Sequence, residues 1–155
     1  MKNNCIRPLV RGDLDRVAFL VEANEMFPPE MLEEMTTPYF AGESDAHRWL
    51  VFDESGVQAV AYYVPEQLTD GTWNLLLIAV DPKVHGKGIG SAVMRYVEAH
   101  LKEQGIRVLL VETSGVPEFE RTRGFYDMLG YGREACIRDY YAAGDDKVIF
   151  RKALT

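Results

Sequence analysis

Gly86, Gly88 and Gly90 are packed into His85-Gly86-Lys87-Gly88-Ile89-Gly90, between two segments of opposite periodicity. Before them, residues 72–80 form an apolar run that reads as a strand, stopped by Asp81-Pro82. After them, residues 91–104 place Val93, Met94, Val97 and Leu101 on one helical stripe, and Gly105 suits the C′ position that ends the helix. Residues 108–112 then form a second apolar strand closing on Glu112. A strand, a glycine loop, a helix and another strand make a parallel pair with a right-handed crossover. Such a pair requires a sheet with helical cover, so this segment constrains the fold more than any other. The glycines let the backbone curl tightly and bare its amides, and the helix start adds unpaired N–H groups and a positive dipole end. The segment therefore reads as a seat for phosphate.

The rest of the chain supplies antiparallel partners. Residues 5–10 alternate as a first strand. Asp13 offers an N-cap for a helix over 14–23, with Leu14, Val17, Ala18 and Val21 on one face. Pro28-Pro29 precedes a second short helix over 30–35. Residues 48–53 and 57–64 form a hairpin around Glu54-Ser55-Gly56. A last helix spans 119–129 and is ended by Gly130, and strands over 131–141 and 147–152 form the final hairpin. The order β, α, α, β, β, β, α, β, α, β, β predicts an α/β fold with a mixed sheet of about seven strands, antiparallel at its flanks, with one parallel pair and helices on both faces.

At 155 residues and 47% apolar, the chain has the material for one core, and residues 1–155 read as a single domain. No apolar run reaches the roughly 20 residues of a membrane span. Met1-Lys2-Asn3-Asn4 lacks the apolar core of a signal peptide. A cytoplasmic protein is expected. Cys5 and Cys136 do not make a disulfide framework, and they are expected as reduced thiols in strands. No Cys/His spacing resembles a metal site, so no metal is expected. The net charge of −7 argues against nucleic acid as a partner and suits a cationic amine.

Two familiar phosphate loops fail on this sequence. A Walker A loop needs Lys and then Ser or Thr after its last glycine, whereas Lys87 precedes Gly88. A Rossmann loop needs a further glycine where Ser91 stands, and it sits in the first βα unit. The stretch from Val80 to Ser91 instead resembles the acetyl-CoA loop of the GCN5-related N-acetyltransferases (the GNAT superfamily). That pattern has Gln or Arg, two residues, Gly, one residue, then Gly or Ala. Gly88 and Gly90 fit it, and His85 replaces the Gln or Arg. Gly124-Phe125-Tyr126-Asp127-Met128-Leu129-Gly130-Tyr131 is similar to the family's second motif, a helix carrying Phe-Tyr and ending in Leu-Gly-aromatic. The order of elements agrees, so the resemblance covers essentially the whole chain. Phe119 stands where the family often has an asparagine.

The resemblance implies an acetyl-CoA-dependent N-acetyltransferase in which a primary amine attacks the thioester directly. The acceptor would be a small-molecule amine or a protein or peptide amino group, with neither nucleic acid nor membrane as partner. A homodimer is compatible with the family. Backbone amides of His85, Gly86, Lys87, Gly88, Ile89, Gly90 and Ser91 would hold the pyrophosphate. In the family the central strand splays from its parallel neighbour, so main-chain groups of Ile78, Ala79 and Val80 would pair with the pantetheine arm. One of those amides would polarise the thioester carbonyl. Tyr126 would protonate the departing thiolate, because a phenol near pKa 10 lies little above a thiol near 8.5. Glu112 is the candidate base, with a solvated strand end as the other reading of that residue, and Glu25 lies in the expected acceptor region. Arg121 and Arg123 would meet a phosphate or stay solvated. Of the adjacent Tyr140 and Tyr141, at most one would line a pocket, since neighbouring strand residues face opposite sides. A non-catalytic acyl-CoA-binding module would keep the glycine loop but would have no need of Tyr126.

Overall fold

The computed structural model describes residues 2–155. Its seven strands are β1 (Ile6–Pro8), β2 (Arg48–Asp53), β3 (Val57–Pro65), β4 (Thr72–Val80), β5 (Val108–Ser114), β6 (Gly132–Ala142) and β7 (Asp145–Ala153). Four α-helices accompany them: α1 (Leu14–Ala23), α2 (Leu32–Phe40), α3 (Ile89–Glu103) and α4 (Glu120–Met128). The strands form one sheet in the order β1-β2-β3-β4-β5-β7-β6. β4 and β5 are parallel, from Thr72↔Val108 to Leu75↔Val111. The pairs β1–β2, β2–β3, β5–β7 and β6–β7 are antiparallel. This is the mixed sheet with one parallel pair that the sequence predicts. No helix among the described residues is long and apolar enough to cross a membrane.

The chain divides into two compact units. The first takes in residues up to Pro65 together with Leu76–Ala99. Its core joins α1 (Val17, Leu20, Val21) and Leu32 of α2 to Trp49, Val51, Val60 and Tyr62 of β2 and β3, with Leu77 and Ala79 of β4. The second unit holds Glu66–Leu75 and His100–Thr155. Leu109, Val111, Tyr126, Tyr131 and Phe150 are its buried apolar residues around β5, α4 and β7.

Several boundaries depart from the expectation. The first strand shrinks to Ile6–Pro8 between 3-10 turns at Lys2–Cys5 and Arg11–Asp13, so Cys5 lies outside a strand. Asp13 does not cap α1 with its side chain. It accepts the Val10 N–H at 2.9 Å and a two-pronged pair from Arg7 at 2.8 and 2.9 Å. The second helix runs on to Phe40 and contains Pro38. Helix α3 starts at Ile89, not at Ser91, so Gly90 lies in its first turn. β5 continues two residues past Glu112 because Thr113 and Ser114 pair with Val148 and Lys147 of β7.

Candidate active site

The first unit contains the glycine loop. Asp81 closes β4: its N–H donates to the Gln58 carbonyl at 2.8 Å, and its carboxylate accepts the Lys83 N–H at 3.0 Å. Arg16 of α1 reaches the same carboxylate at 2.6 Å and gives its Nε–H to the Val57 carbonyl at 2.8 Å. The Lys83 amide, helped by the Arg16 guanidinium, holds the Asp81 carboxyl below the usual carboxylate range. Asp81 thus pins the loop entrance, a role hidden in a sequence where Asp-Pro reads only as a strand stop.

Beyond the short turn at Pro82–Val84, Gly86 and Gly88 adopt φ of 81° and 79°. A Cβ at Gly86 would meet nothing within 4 Å, so its backbone conformation, not space, demands glycine there. The first intrahelical bond at the start of α3 runs from the Ala92 N–H to the Gly88 carbonyl at 3.0 Å. The amides of Ile89, Gly90 and Ser91 precede it and are the donors that a helix start leaves open. This arrangement fits a diphosphate, which needs several N–H donors and a positive dipole end.

His85 makes two contacts within the loop. Its amide bonds back to the Pro82 carbonyl at 3.4 Å, and its Nε2 lies 3.0 Å from the Val80 carbonyl. Asn24 also donates to the Val80 carbonyl, at 2.9 Å. His85 therefore braces the loop internally. The Val80 oxygen, one of the main-chain groups expected to face the pantetheine arm, is engaged by these side chains. Asn24 begins the segment 24–40 expected from the sequence to recognise the acceptor, and its bond to the Val80 carbonyl carries no sequence signal.

The second unit holds the two candidate proton carriers, in separate settings. Tyr126 on α4 is 2% exposed, within ring distance of Phe125, Tyr131 and Phe150 at 5.3, 5.9 and 5.4 Å. Burial pushes its phenol well above the ordinary tyrosine value. The proton gap to a thiol is consequently wider than free amino-acid values suggest.

Glu112 is neither a strand end nor a solvated carboxylate. Its Oε1 pairs with Lys147 Nζ at 2.9 Å, and its Oε2 accepts a hydrogen bond from Asn74 Nδ2 at 2.5 Å. Burial works against the Lys147 ammonium, but Glu112 and then Tyr140 outweigh it and hold the amine above its usual value. Lys147 Nζ also sits 4.2 Å from the centre of the Tyr140 ring. Tyr140 and Tyr141 pack edge to face with centroids 5.0 Å apart. Burial, and next the Glu112 charge, raise Tyr141 above its usual value. Both tyrosines therefore attend this cluster, because irregular pairing between Ile137 and Ala142 breaks the simple alternation of β6.

Arg123 is not simply solvated. It clamps the end of β5, donating to the Ser114 and Val116 carbonyls at 2.8 and 2.9 Å. Arg121 is exposed. Among the described residues, no group of three His, Cys, Asp or Glu side chains is placed to hold a metal ion.

The model of the acetyltransferase (GNAT) family matches residues 16–131, a span that contains both the glycine loop and the Tyr126 helix. The chain belongs to this family. Solved structures share the fold along almost its whole length. A GNAT-family protein from Desulfovibrio desulfuricans is 28% identical with a TM-score of 0.88, covering 97% of this chain and 98% of its own. The ribosomal-protein-S18-alanine N-acetyltransferase from Escherichia coli is 19% identical with a TM-score of 0.78, covering 97% and 93%. The yncA protein of Salmonella typhimurium, solved with its cofactor acetyl-CoA, is 16% identical with a TM-score of 0.78, covering the same shares. None of the curated proteins matches this chain.

Proposed function

We propose that this GNAT-family protein moves an acetyl group from acetyl-CoA to a primary amine. The observation that carries the reading is the start of α3, where the positive φ of Gly86 and Gly88 turns the chain into a helix whose first amides are open. Family membership supplies the kind of diphosphate expected there. When bound, acetyl-CoA supplies an activated acyl carbon and a thiolate leaving group. The amides of Gly86 to Ser91 bind and orient its pyrophosphate, with the Lys87 charge close by. Main-chain groups of Ile78 and Ala79 orient the arm that carries the thioester.

Two protons move. The amine nitrogen loses one as its bond to carbon forms, and Glu112 receives it directly or through water. Asn74 and Lys147 fix the direction in which that carboxylate points. Sulfur gains one as its bond to carbon breaks, and Tyr126 Oη holds that proton beforehand. Because burial raises the Tyr126 phenol, transfer to a thiolate in water would be uphill. The reading therefore requires a desolvated sulfur, whose own proton affinity rises with burial in the same way.

The test is calorimetric titration of the purified protein with acetyl-CoA, with ATP and NAD as controls, followed by a thiol-release screen across primary amines. Binding of acetyl-CoA alone with amine-dependent thiol release is the expected result. A folded protein that ignores acetyl-CoA removes the proposal. Binding without thiol release for any amine leaves a CoA-binding module.

A further inference from the structure

The glycine loop of the first unit is made of backbone that has little order of its own. Pro82, Lys83, His85, Gly86, Lys87 and Gly88 are all exposed, and Gly86 and Gly88 stand at positive φ. Fixing such backbone around a ligand costs conformational entropy. That cost is subtracted from affinity unless the loop is ordered beforehand.

Arg16 of α1, distant from the loop in sequence, reaches its entrance. Its Nη2 lies 2.6 Å from Asp81 Oδ2, and its Nε donates to the Val57 carbonyl at 2.8 Å. The next carbonyl along β3, that of Gln58, accepts the Asp81 N–H at 2.8 Å. Both members of the ion pair are thus tied to the first two residues of β3. Asp81 Oδ1 is left to accept the Lys83 N–H at 3.0 Å, inside the turn Pro82–Val84 that leads into the loop. The Asp81 side chain is only 8% exposed, so without Arg16 its carboxylate would be largely desolvated with no cation paired to it. Turning out to water would relieve that state and would release the Lys83 amide. A pair so placed adds little to overall stability, but it selects one position for the carboxylate.

We propose that Arg16 is a positioning residue for acetyl-CoA: by holding the Asp81 carboxylate on the Lys83 amide, it orders the glycine loop before the pyrophosphate arrives. Arg16 acts through Asp81 and not by meeting the cofactor. The inference rests on the acetyl-CoA reading above, but the order of the free loop is an observable of its own.

The test compares the wild type, Arg16→Met and the double variant Arg16→Met/Asp81→Asn. Methionine keeps a flexible stem without the charge, and Arg16 is 38% exposed, so its loss costs the fold little. Asparagine keeps an oxygen for the Lys83 amide and requires no counter-ion. Two measurements are made at pH 7: hydrogen exchange of the Lys83 amide in the free protein, and calorimetric titration with acetyl-CoA. Expected in Arg16→Met is exchange at Lys83 faster by about tenfold and acetyl-CoA binding weaker by about five- to tenfold. Both should return to within about twofold of the wild type in the double variant, because the carboxylate that needed Arg16 is gone. A merely structural Arg16 would leave the double variant as weak as Arg16→Met or weaker. Unchanged affinity in Arg16→Met, or no recovery in the double variant, overturns the proposal. Acetyl-CoA binding that is indifferent to Arg16 removes this role alone. A wild type that ignores acetyl-CoA while its Lys83 exchange follows the expected pattern removes the acetyl-CoA reading, and the Arg16 role with it.

Discussion

Replacing Asp81 by alanine should loosen the entrance to the glycine loop by a calculable amount. The substitution removes a carboxylate that accepts the Lys83 amide at 3.0 Å, a capping bond worth about 1 kcal/mol. It also removes the 2.6 Å pair with Arg16, whose side chain is 38% exposed, so that term is about 0.5–1 kcal/mol. Arg16 can turn to solvent, so the larger penalty of stranding a buried charge does not apply. The sum is about 2 kcal/mol, or a fall in Tm of roughly 4–8 °C for a chain of this size. Urea unfolding of the wild type, Asp81→Ala, Arg16→Ala and the double variant isolates the pair, with an expected coupling of about 0.5–1 kcal/mol. The pH dependence has a definite sign. The folded Asp81 carboxyl lies below its unfolded value, so its contribution is full above about pH 4 and is lost as pH falls through the folded value. The gap between wild type and Asp81→Ala should therefore close in acid. A gap under about 0.5 kcal/mol at pH 7, or one that widens as pH falls, would refute the reasoning.

Three further outcomes follow from the same geometry. Gly88→Ala, at φ 79°, should cost about 1–2 kcal/mol in unfolding experiments, while Gly88→Glu should abolish acetyl-CoA binding in calorimetry by adding bulk and like charge. Tyr126→Phe should lower kcat by about a hundredfold or more in thiol-release assays and leave acetyl-CoA affinity unchanged; undiminished turnover would take Tyr126 out of the mechanism. Lys147→Met leaves the Glu112 carboxylate largely buried without its cation and should destabilise the protein by about 3 kcal/mol at pH 7. Because the folded Lys147 ammonium lies above its unfolded value of about 10.5, its contribution should fade as pH rises through the folded value.

Periodicity made most of the framework legible. The spans 14–23, 48–53 and 72–80 are α1, β2 and β4 without adjustment, because each has a clean apolar period and a hard stop. The stripe Val93, Met94, Val97 and Leu101 on α3 is buried throughout. Misplaced ends have local causes. Thr113 and Ser114 look like a loop in isolation and become strand once β7 supplies partners. Gly90 looks like part of the loop but costs little in the first turn of a helix, where its amide has no intrahelical partner in any case.

The amino-acid order by itself determined the parallel pair, the antiparallel flanks and the position of the glycine loop, since these follow from local periodicity and backbone freedom. The tertiary structure decided which polar side chains meet. Asp81 found Arg16 across 65 positions, and Glu112 found Asn74 across 38. Lys147 reached Glu112 from the strand beside it. The physical reason is that a carboxylate's neighbours are set by strand register and chain crossing, which act at separations where no sequence period survives.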